Sequence, residues 1–522
     1  MKNINKTMII IFLAIIFFIP AACDSSLDND NKTPVPIKPA ITTVSLPDGE
    51  AGEPYEAVLT ATGDDPITWS LDGVVSLPTG LTLSADGIIS GTPVSSANVL
   101  LTVKAANAAG DDIKYLSLTI DPAPLRYIIT SNGAGGFVTK KFGFDQIITT
   151  LTDLDNNIST IKTAAYGEDC IIQFGDNTEV LDIGDEYIDF DGSGTPGWGL
   201  ITLKGKITSE GNTLHDYTIK LENNVSIDSG ADIKKAGAGV NSYAVWNAGS
   251  GTLNIIGGTI EGTGDVIYND SSGSVNITGG IVSATMQIAI HNYGSEGIIN
   301  ISGGEVYAAS GAVSGEEINI SGGIISTETG TAVSGVNINI SGGTISSNTG
   351  IAIQNYGGKL TITEDPGKTT LITSKNSNTS DGTINIKNDP GQPELGLIMT
   401  GGRVENTASG HAIYNEGDTA LEISGGTVSA NQGTAIYHSD RTYTSKTTIY
   451  GTAIITSANT GLGTIYIAKY NTGFGGTPTP EERLVVTGGT VSNTTETGYA
   501  IYNDSDGTVK IEEPAIILGE IY

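Results

Sequence analysis

The sequence predicts an all-β protein, most of which forms a right-handed, three-sided parallel β-helix (a solenoid) with an N-terminal capping helix, preceded by a separate β-sandwich. The main observation is a phrase that recurs in the second half of the chain, as Ile320-Ser321-Gly322-Gly323 and as Ile340-Ser341-Gly342-Gly343. An aliphatic residue two positions before the glycine pair marks each repeat, and most steps between markers are 19 to 28 residues. Such a period is typical of repeat proteins, in which each unit buries its apolar face against its neighbours. The markers are Leu203, Ile227, Ile255, Ile277, Ile301, Ile320, Ile340, Ile362, Met399, Ile423, Ile449, Val486 and Ile511.

Each repeat contains three short strand-like segments, as in 274–278, 281–283 and 289–292. These segments are too short and too often interrupted by glycine to be helices. Three strands per turn that stack in parallel form a three-sided coil, and parallel crossovers are right-handed. The third strand ends at Asn or Gly in most repeats, and we expect a left-handed backbone conformation there, because these residues tolerate it. Residues 201–522 are therefore predicted to be parallel β-helix repeats.

Residues 1–22 have the features of a signal peptide. A basic start precedes an apolar run over 8–19, which is too short to span a bilayer. The small residues before Cys23 resemble the cleavage box of bacterial lipoproteins, although Pro20 stands where that family usually has Leu. The resemblance implies that Cys23 is lipidated and that the protein is an extracytoplasmic, membrane-anchored lipoprotein at the cell surface or outer membrane. An ordinary secretory signal is the alternative.

Two segments separate this leader from the repeats. Residues 23–39 are polar, acidic and proline-bearing without a hydrophobic period, which predicts a tether. Residues 40–122 contain short alternating strands at the spacing of a β-sandwich. The phrases at 52–55, 77–83 and 87–93 make this unit similar to the Ig-like (cadherin-like) modules of bacterial surface proteins. That resemblance implies a spacer or an adhesion domain.

Residues 123–200 are expected to contain the capping region and the first turns of the β-helix. Seven apolar residues fall at helical spacing and predict an amphipathic helix of about five turns. They are Phe144, Ile147, Ile148, Leu151, Leu154, Ile158 and Ile161. We assign this helix to the open end of the solenoid, whose apolar cross-section needs a cover. Cys170 lies in a strand-like apolar segment, which indicates a buried structural thiol.

An acidic stretch that includes Asp189 and Asp191 follows the capping region. Calcium prefers carboxylate and carbonyl oxygens that converge from a flexible loop, and this stretch could supply them. The spacing departs from the calcium-loop pattern, since Ser193 replaces an acidic ligand. We therefore expect a solvated acidic edge and no cofactor, with calcium at these two residues as the alternative.

The repeats resemble the pectin-lyase-like superfamily over roughly residues 170–522, through the phrases Asn-Ile-Ser-Gly-Gly and Ala-Ile-Tyr-Asn. That superfamily contains polysaccharide lyases, glycoside hydrolases and non-catalytic adhesins, so the resemblance does not decide the function. Catalysis on glycans needs facing carboxylates, or a metal–carboxylate cluster with a base. The outward column of the first strand contains one carboxylate and that of the third strand contains none. We therefore expect no catalytic residues.

The outward column of the third strand contains aromatic groups instead. Stacked about 5 Å apart, such rings contact each other or offer a platform to sugar rings. The candidate ligand-binding residues are Trp246, Tyr268, His291, Tyr414 and Tyr437. The same spacing assigns Lys387 and Ala468 to this column.

The charge of the chain excludes some partners. A net charge of −32, from 57 acidic and 25 basic residues, argues against nucleic acid and anionic lipid. The sequence thus predicts a lipid-anchored cell-surface protein with a non-catalytic β-helix that binds glycan or protein ligands. A β-helix enzyme acting on polysaccharides is the alternative, and a structural spacer is the third hypothesis.

Overall fold

The computed structural model of the protein divides the chain into two compact units, Met1–Ala123 and Pro124–Tyr522. The predicted signal peptide, Cys23 and most of the predicted tether lie outside the described residues. In the described part of the chain, no helix has the length and apolar character needed to cross a membrane. The structure describes residues 36–123, 125–142, 146–151, 154–175, 179–210, 217–236, 242–294, 296–387, 395–417, 419–439, 445–469 and 482–522.

The first unit consists of nine strands in three sheets. The strands are β1 Ala40–Ile41, β2 Gly49–Glu50, β3 Tyr55–Val58, β4 Ala61–Thr62, β5 Thr68–Leu71, β6 Leu81–Leu83, β7 Ile88–Gly91, β8 Ala97–Asn107 and β9 Gly110–Asp121. Their sheet orders are β2-β9-β8-β5, β3-β7-β6 and β1-β4. Trp69 and Leu101 of the four-stranded sheet and Ile89 of the three-stranded sheet lie in one buried apolar cluster. The two larger sheets therefore enclose a common core.

The second unit begins with three antiparallel strands and the helix. These elements are β10 Leu125–Ser131, β11 Phe137–Lys141, β12 Gln146–Leu151 and α1 Leu154–Ala165. The helix buries Leu154, Ile158 and Ile161 in the same apolar cluster as Tyr127 and Phe137. One face of α1 therefore belongs to the core of this unit.

The predicted five-turn helix was wrong in length. The helix has 12 residues, and 146–151 form a strand that pairs with β11. This segment is Gln-Ile-Ile-Thr-Thr-Leu, and β-branched side chains favour strands even where the apolar spacing also fits a helix. Ile147, which the prediction placed on the apolar face of the helix, is 55% exposed, whereas Phe144 lies outside the described residues.

The rest of the unit consists of short strands. They are β13 Cys170–Phe174, β14 Val180–Asp182, β15 Ile188–Phe190, β16 Ile201–Ser209, β17 Tyr217–Leu221, β18 Val225–Lys235, β19 Tyr243–Asn247, β20 Leu253–Ile255, β21 Thr259–Gly262, β22 Ile267–Asn269, β23 Val275–Ile277, β24 Ile281–Ala284, β25 Ile288–Asn292, β26 Ile298–Ile301, β27 Glu305–Ala308, β28 Gly311–Thr327, β29 Thr331–Ser347, β30 Ile351–Tyr356, β31 Leu360–Ile362, β32 Thr370–Ser374, β33 Gly382–Lys387, β34 Leu395–Met399, β35 Arg403–Asn406, β36 His411–Asn415, β37 Ala420–Ile423, β38 Thr427–Ala430, β39 Ile436–His438, β40 Thr447–Ile449, β41 Ile454–Ser457, β42 Ile465–Ile467, β43 Glu482–Val486, β44 Thr490–Asn493, β45 Tyr499–Asn503, β46 Thr508–Ile511, β47 Ile516–Leu518 and β48 Glu520–Ile521.

These strands pair in parallel at a constant interval. From β20 to β25 and from β30 to β45, each strand pairs with the third strand after it. Strands β28 and β29 run through three successive segments each and pair along their whole length. In this register each of the thirteen marker residues is aligned with the marker of the next repeat. This alignment confirms the repeat that the sequence predicts. The markers are buried, with the exception of Ile511 in the last turn, and they form a continuous core.

The corners differ from the prediction. Among the described residues, the only non-glycine with a positive φ is Tyr166, so the asparagines that end the third strand are not left-handed. Positive φ occurs instead at the second glycine of the glycine pairs, for example 82° at Gly323. The corner asparagines use their side chains: Nδ2 of Asn269 donates to the carbonyl of Gly273 at 2.7 Å. Asparagine is thus selected at this corner because its amide bonds the backbone of the turn.

Candidate functional site

The outward column of the third strand carries the aromatic side chains. Trp246 pairs with Tyr268, and Tyr268 pairs with His291. The column was assigned wrongly at two later positions, because it passes through Asn385 and Tyr466. Strands β33 and β42, which contain these two residues, follow irregular turns. Their register is determined by the buried Ile384 and Ile465, whereas the prediction counted residues back from the end of the strand.

The first aromatic group, here called the tyrosine–histidine cluster, consists of Tyr243, Tyr268, His291 and Tyr293. Tyr268 stacks on Tyr243 with ring centroids 4.5 Å apart and an interplanar angle of 11°. The ring of Tyr293 lies 6.4 Å from that of Tyr268 at an interplanar angle of 27°, and the ring of His291 meets Tyr268 edge-on at 5.6 Å. Trp246 belongs to a separate group, in which its ring contacts Tyr217 and carries Lys220 Nζ 5.5 Å from its centroid.

A buried carboxylate holds His291 in place. Oδ2 of Asp265 lies 2.8 Å from Nδ1 of His291, and Oδ1 of Asp265 accepts the backbone N–H of Ile288 at 3.1 Å. Asp265 is 9% exposed. A carboxylate next to Nδ1 favours the proton on that nitrogen, which leaves Nε2 of the neutral ring as a hydrogen-bond acceptor. Burial raises the pKa of Tyr268, so its hydroxyl remains a donor at neutral pH.

Tyr293 is the most open ring of the tyrosine–histidine cluster, with 72% of its surface exposed. Among the described residues its ring contacts Tyr268 and His291, and the exposure of the ring leaves much of it open to solvent. Strand alternation does not predict Tyr293, because this residue follows the corner residue Asn292 and lies outside the strand. An aromatic residue directly after a corner asparagine is the signal that would have found it.

The second aromatic group, here called the tyrosine stack, consists of Tyr414, Tyr437, Tyr466, Tyr502 and Tyr522. Neighbouring centroids are 5.1, 5.1, 5.5 and 4.4 Å apart, and the rings of the first pair are within 6° of parallel. The predicted binding residues Tyr414 and Tyr437 stack on each other, and Tyr437 also stacks on Tyr466 and His411, so these two rings have their broad faces against neighbouring rings. Burial and the nearby Asp504 raise the pKa of Tyr466 to about 12.

A ladder of asparagines follows the outward side of the first strand. Each Nδ2 donates to Oδ1 of the asparagine on the preceding turn at 2.8 to 3.0 Å. The members of this asparagine ladder are Asn254, Asn276, Asn300, Asn319 and Asn339. Beside it, the hydroxyls of Ser302, Ser321 and Ser341 line a shallow groove of about 290 Å³. Amide and hydroxyl groups in this arrangement are suited to hydrogen bonds with polyhydroxylated ligands.

One cavity brings carboxylates and an arginine together. It has a volume of about 650 Å³ and is lined by Glu364, Arg403 and Glu405 among others. Nε of Arg403 donates to Glu405 at 2.6 Å, and Glu364 accepts the backbone N–H of Thr370 at 3.0 Å. Both carboxylates are thus engaged by donors within the protein, whereas general acid catalysis needs a carboxyl that carries a proton.

The two acidic residues that were considered for calcium have partners within the protein. Lys220 Nζ lies 3.1 Å from Oδ2 of Asp189, and the Ser193 hydroxyl donates to Asp191 at 2.6 Å. Burial raises the pKa of Asp189, whereas the hydrogen bonds from Ser193 lower that of Asp191. Over the residues that the structure describes, no three His, Cys, Asp or Glu side chains are grouped so that they could hold a metal ion.

Comparisons with solved structures find partial likenesses. A "putative alpha-galactosidase" from Bacteroides fragilis is 19% identical over 32% of this chain and 45% of its own, with a TM-score of 0.15. A "putative alpha-galactosidase/melibiase" from the same species is 16% identical over 36% and 52%, with a TM-score of 0.15. A SusE-like surface located polysaccharide binding protein from the Bacteroides thetaiotaomicron heparin utilisation locus is 18% identical over 26% and 20%, also with a TM-score of 0.15. The chain spans about half the length of the first two structures and a fifth of the third.

The comparison with family models concerns the first unit. Residues 38–121 match the family described as "Putative Ig domain". No curated protein matches the chain. The match coincides with the two sheets and the common core of the first unit. The chain is therefore an all-β protein with an Ig-like N-terminal domain.

Proposed function

We propose that the protein is a lipid-anchored surface protein whose second unit is a right-handed, three-sided parallel β-helix that binds glycans without catalysis. The parallel pairing of each strand with the third strand after it supports three sides. The apolar face of α1, which buries Leu154, Ile158 and Ile161, supports its role as the N-terminal cap. Right-handedness follows from the general preference of parallel crossovers.

The tyrosine–histidine cluster is the proposed binding site, and the exposure of Tyr293 is the observation that carries the proposal. An open aromatic face is suited to stack against the apolar face of a sugar ring. Nε2 of His291 would accept a hydrogen bond from a sugar hydroxyl. Asp265 keeps the histidine ring in one orientation through the 2.8 Å contact, so little side-chain freedom is lost when a ligand binds.

The direct test is affinity electrophoresis or calorimetry of the purified protein with a panel of soluble polysaccharides. Tyr293→Ala is expected to weaken binding about tenfold, the equivalent of ~1.4 kcal/mol, which is in the range of a single aromatic contact. Tyr115→Ala is the matched control, because Tyr115 is 67% exposed but lies in the Ig-like domain. The site would be rejected if the two variants bound with equal affinity. It would also be rejected if neither the unmodified protein nor either variant bound any polysaccharide of the panel.

A polysaccharide-active enzyme is the second candidate, favoured by the cavity that contains Glu364, Arg403 and Glu405. Prolonged incubation with the same polysaccharides and analysis of the products distinguishes it from a binding protein. Products that disappear in a Glu405→Gln variant would establish the enzyme and exclude the non-catalytic role. A structural spacer, the third hypothesis, would bind none of the panel.

Lipid anchoring at Cys23 is a separate part of the proposal, because it depends on the resemblance of the leader to lipoprotein signals. Cys23→Ser is expected to move the protein from the membrane fraction to the soluble extracytoplasmic fraction. Protease treatment of intact cells then tests whether the folded units face the outside. Retention of Cys23→Ser in the membrane fraction would contradict the anchor and leave the glycan site unaffected.

A further inference from the structure

We infer that the glycan bound by the tyrosine–histidine cluster carries no carboxylate or sulfate groups, an inference that rests on the proposed function. The sequence contains neither Lys nor Arg between residues 236 and 358, a span that includes the whole cluster and the whole asparagine ladder. The same span contains eight carboxylates. They are Glu261, Asp265, Asp270, Glu296, Glu305, Glu316, Glu317 and Glu328.

The strand register places two of these carboxylates next to Tyr293. Asn269 pairs with Asn292, so Asp270 occupies the position of Tyr293 on the preceding turn. His291 pairs with Ser314, so Glu316 occupies it on the following turn. Asp270 and Glu316 are both exposed. Because adjacent parallel strands are about 4.8 Å apart, a ligand over Tyr293 lies between two negative charges.

The cations that flank the span do not offset this charge. On the N-terminal side, Lys234 Nζ lies 3.6 Å from Oε2 of Glu261 and Lys235 is buried, and the more distant Lys220 lies 3.1 Å from Asp189 and 2.7 Å from Glu222. Lys359, on the C-terminal side, is three turns away from the corner of Tyr293, roughly 14 Å, which exceeds the Debye length of about 8 Å at physiological salt. An acidic sugar at this site would therefore meet carboxylates without a compensating cation.

The groups that would contact the ligand are hydrogen-bonding side chains and aromatic rings. The phenols of Tyr268 and Tyr293 and the imidazole of His291 bond hydroxyl groups equally well without any charge on the sugar. A like charge next to a carboxylate costs binding free energy, and the net charge of −32 adds a long-range repulsion of anionic polymers. Selection against acidic glycans thus follows from the composition of this span.

The experiment compares three classes of polysaccharide by affinity electrophoresis at low and high salt, using the full protein. The classes are neutral (xylan, mannan and a mixed-linkage glucan), cationic (chitosan) and anionic (polygalacturonate and heparin). Binding of a neutral or amino polysaccharide, with no retardation by the anionic ones, supports the inference. Binding of polygalacturonate or heparin at an affinity equal to or higher than the others overturns it while the proposed function stands. If no polysaccharide of any class binds, the proposed function itself is rejected.

A charge-reversal variant separates local charge from overall charge. Glu316→Lys places a cation beside Tyr293 and is expected to create binding to polygalacturonate at low salt, with the affinity for the neutral ligand changed less than twofold. Glu520→Lys, which makes the same change in net charge on an exposed residue of the last strand, is expected to create none. The same gain in both variants would show that net charge alone decides, and would overturn the assignment to the corner of Tyr293.

Discussion

Nδ2 of Asn269 lies 2.6 Å from Oδ1 of Asn292 on the following turn and donates a hydrogen bond to it. The same arrangement joins Asn247 to Asn269 at 2.7 Å. These three asparagines are buried, and each also bonds a backbone carbonyl of its own corner. The protein therefore has two ladders of asparagine amides, one buried at this corner and one on the outward side of the first strand.

The two ladders are expected to differ in their contribution to stability. Asn269→Ala leaves the buried oxygen of Asn292 without its donor and removes one of the two acceptors of the Asn247 amide, and should lower the free energy of unfolding by about 2–4 kcal/mol. Asn300→Ala removes similar bonds where water can replace them, and should cost less than about 1 kcal/mol. Urea unfolding followed by circular dichroism measures both. Equal losses would contradict the distinction between a dry and a hydrated ladder.

The second glycine of each pair is expected to be irreplaceable for a steric reason as well as a conformational one. A Cβ on Gly323, where φ is 82°, would lie 2.8 Å from the carbonyl oxygen of Gly303 on the preceding turn. Gly323→Ala should therefore lower the free energy of unfolding by more than the ~1–2 kcal/mol that a left-handed backbone conformation costs an alanine. Gly184→Ala is the control, since φ there is 54° and nothing lies within 4 Å of the added carbon. Similar unfolding midpoints for the two variants would contradict the steric argument.

The sequence was sufficient to predict the repeat and its register, because the marker residues must all face inward for the turns to stack. It was not sufficient for the helix, since Ile147 and Leu151 satisfy both a helical and a strand pattern and only pairing with β11 decides between them. The binding site was only partly predictable. The outward positions of Tyr268 and His291 follow from the alternation of side chains along a strand. Asp265 and Tyr293 lie in turns, where the direction of a side chain does not follow from its position in a repeating pattern.

Buried His438 is expected to make the protein sensitive to acid. Burial and the neighbouring Arg483 lower the pKa of His438 to about 3, below its ordinary value of 6.5. Because the folded state resists protonation, stability is complete above pH 6.5 and falls as the pH decreases toward 3, by up to ~1.4 kcal/mol per unit. His438→Asn, which places there the residue found at the equivalent Asn415, should flatten the pH dependence of unfolding between pH 7 and 5. If the free energy of unfolding depended on pH in the same way in the unmodified protein and in His438→Asn, the assignment of this acid sensitivity to His438 would be contradicted.

Cys170 is expected to be chemically inert in the folded protein, as its strand-like context predicted. The thiol is buried, and burial together with Asp169 raises its pKa to about 12. Since the thiolate is the reactive form, iodoacetamide at pH 8 should leave the peptide that contains Cys170 unmodified in the native protein and modify it fully in urea. Mass spectrometry of the digested protein measures the extent. Rapid labelling under native conditions would indicate an accessible, functional thiol.

Tyr437 tests whether the tyrosine stack stabilises the fold or binds ligand. Its ring lies between Tyr414 and Tyr466, at 5.1 Å from each, and 4.5 Å from the ring of His411. At about 0.5–1.5 kcal/mol for each aromatic pair beyond its buried area, Tyr437→Ala should lower the free energy of unfolding by roughly 2–4 kcal/mol. Tyr437→Phe retains the ring and should lose much less. Because the faces of the stacked rings are occupied, both variants should bind the polysaccharide recognised by the tyrosine–histidine cluster with unchanged affinity. A folded Tyr437→Ala that no longer binds would instead assign Tyr414 and Tyr437 to the binding surface.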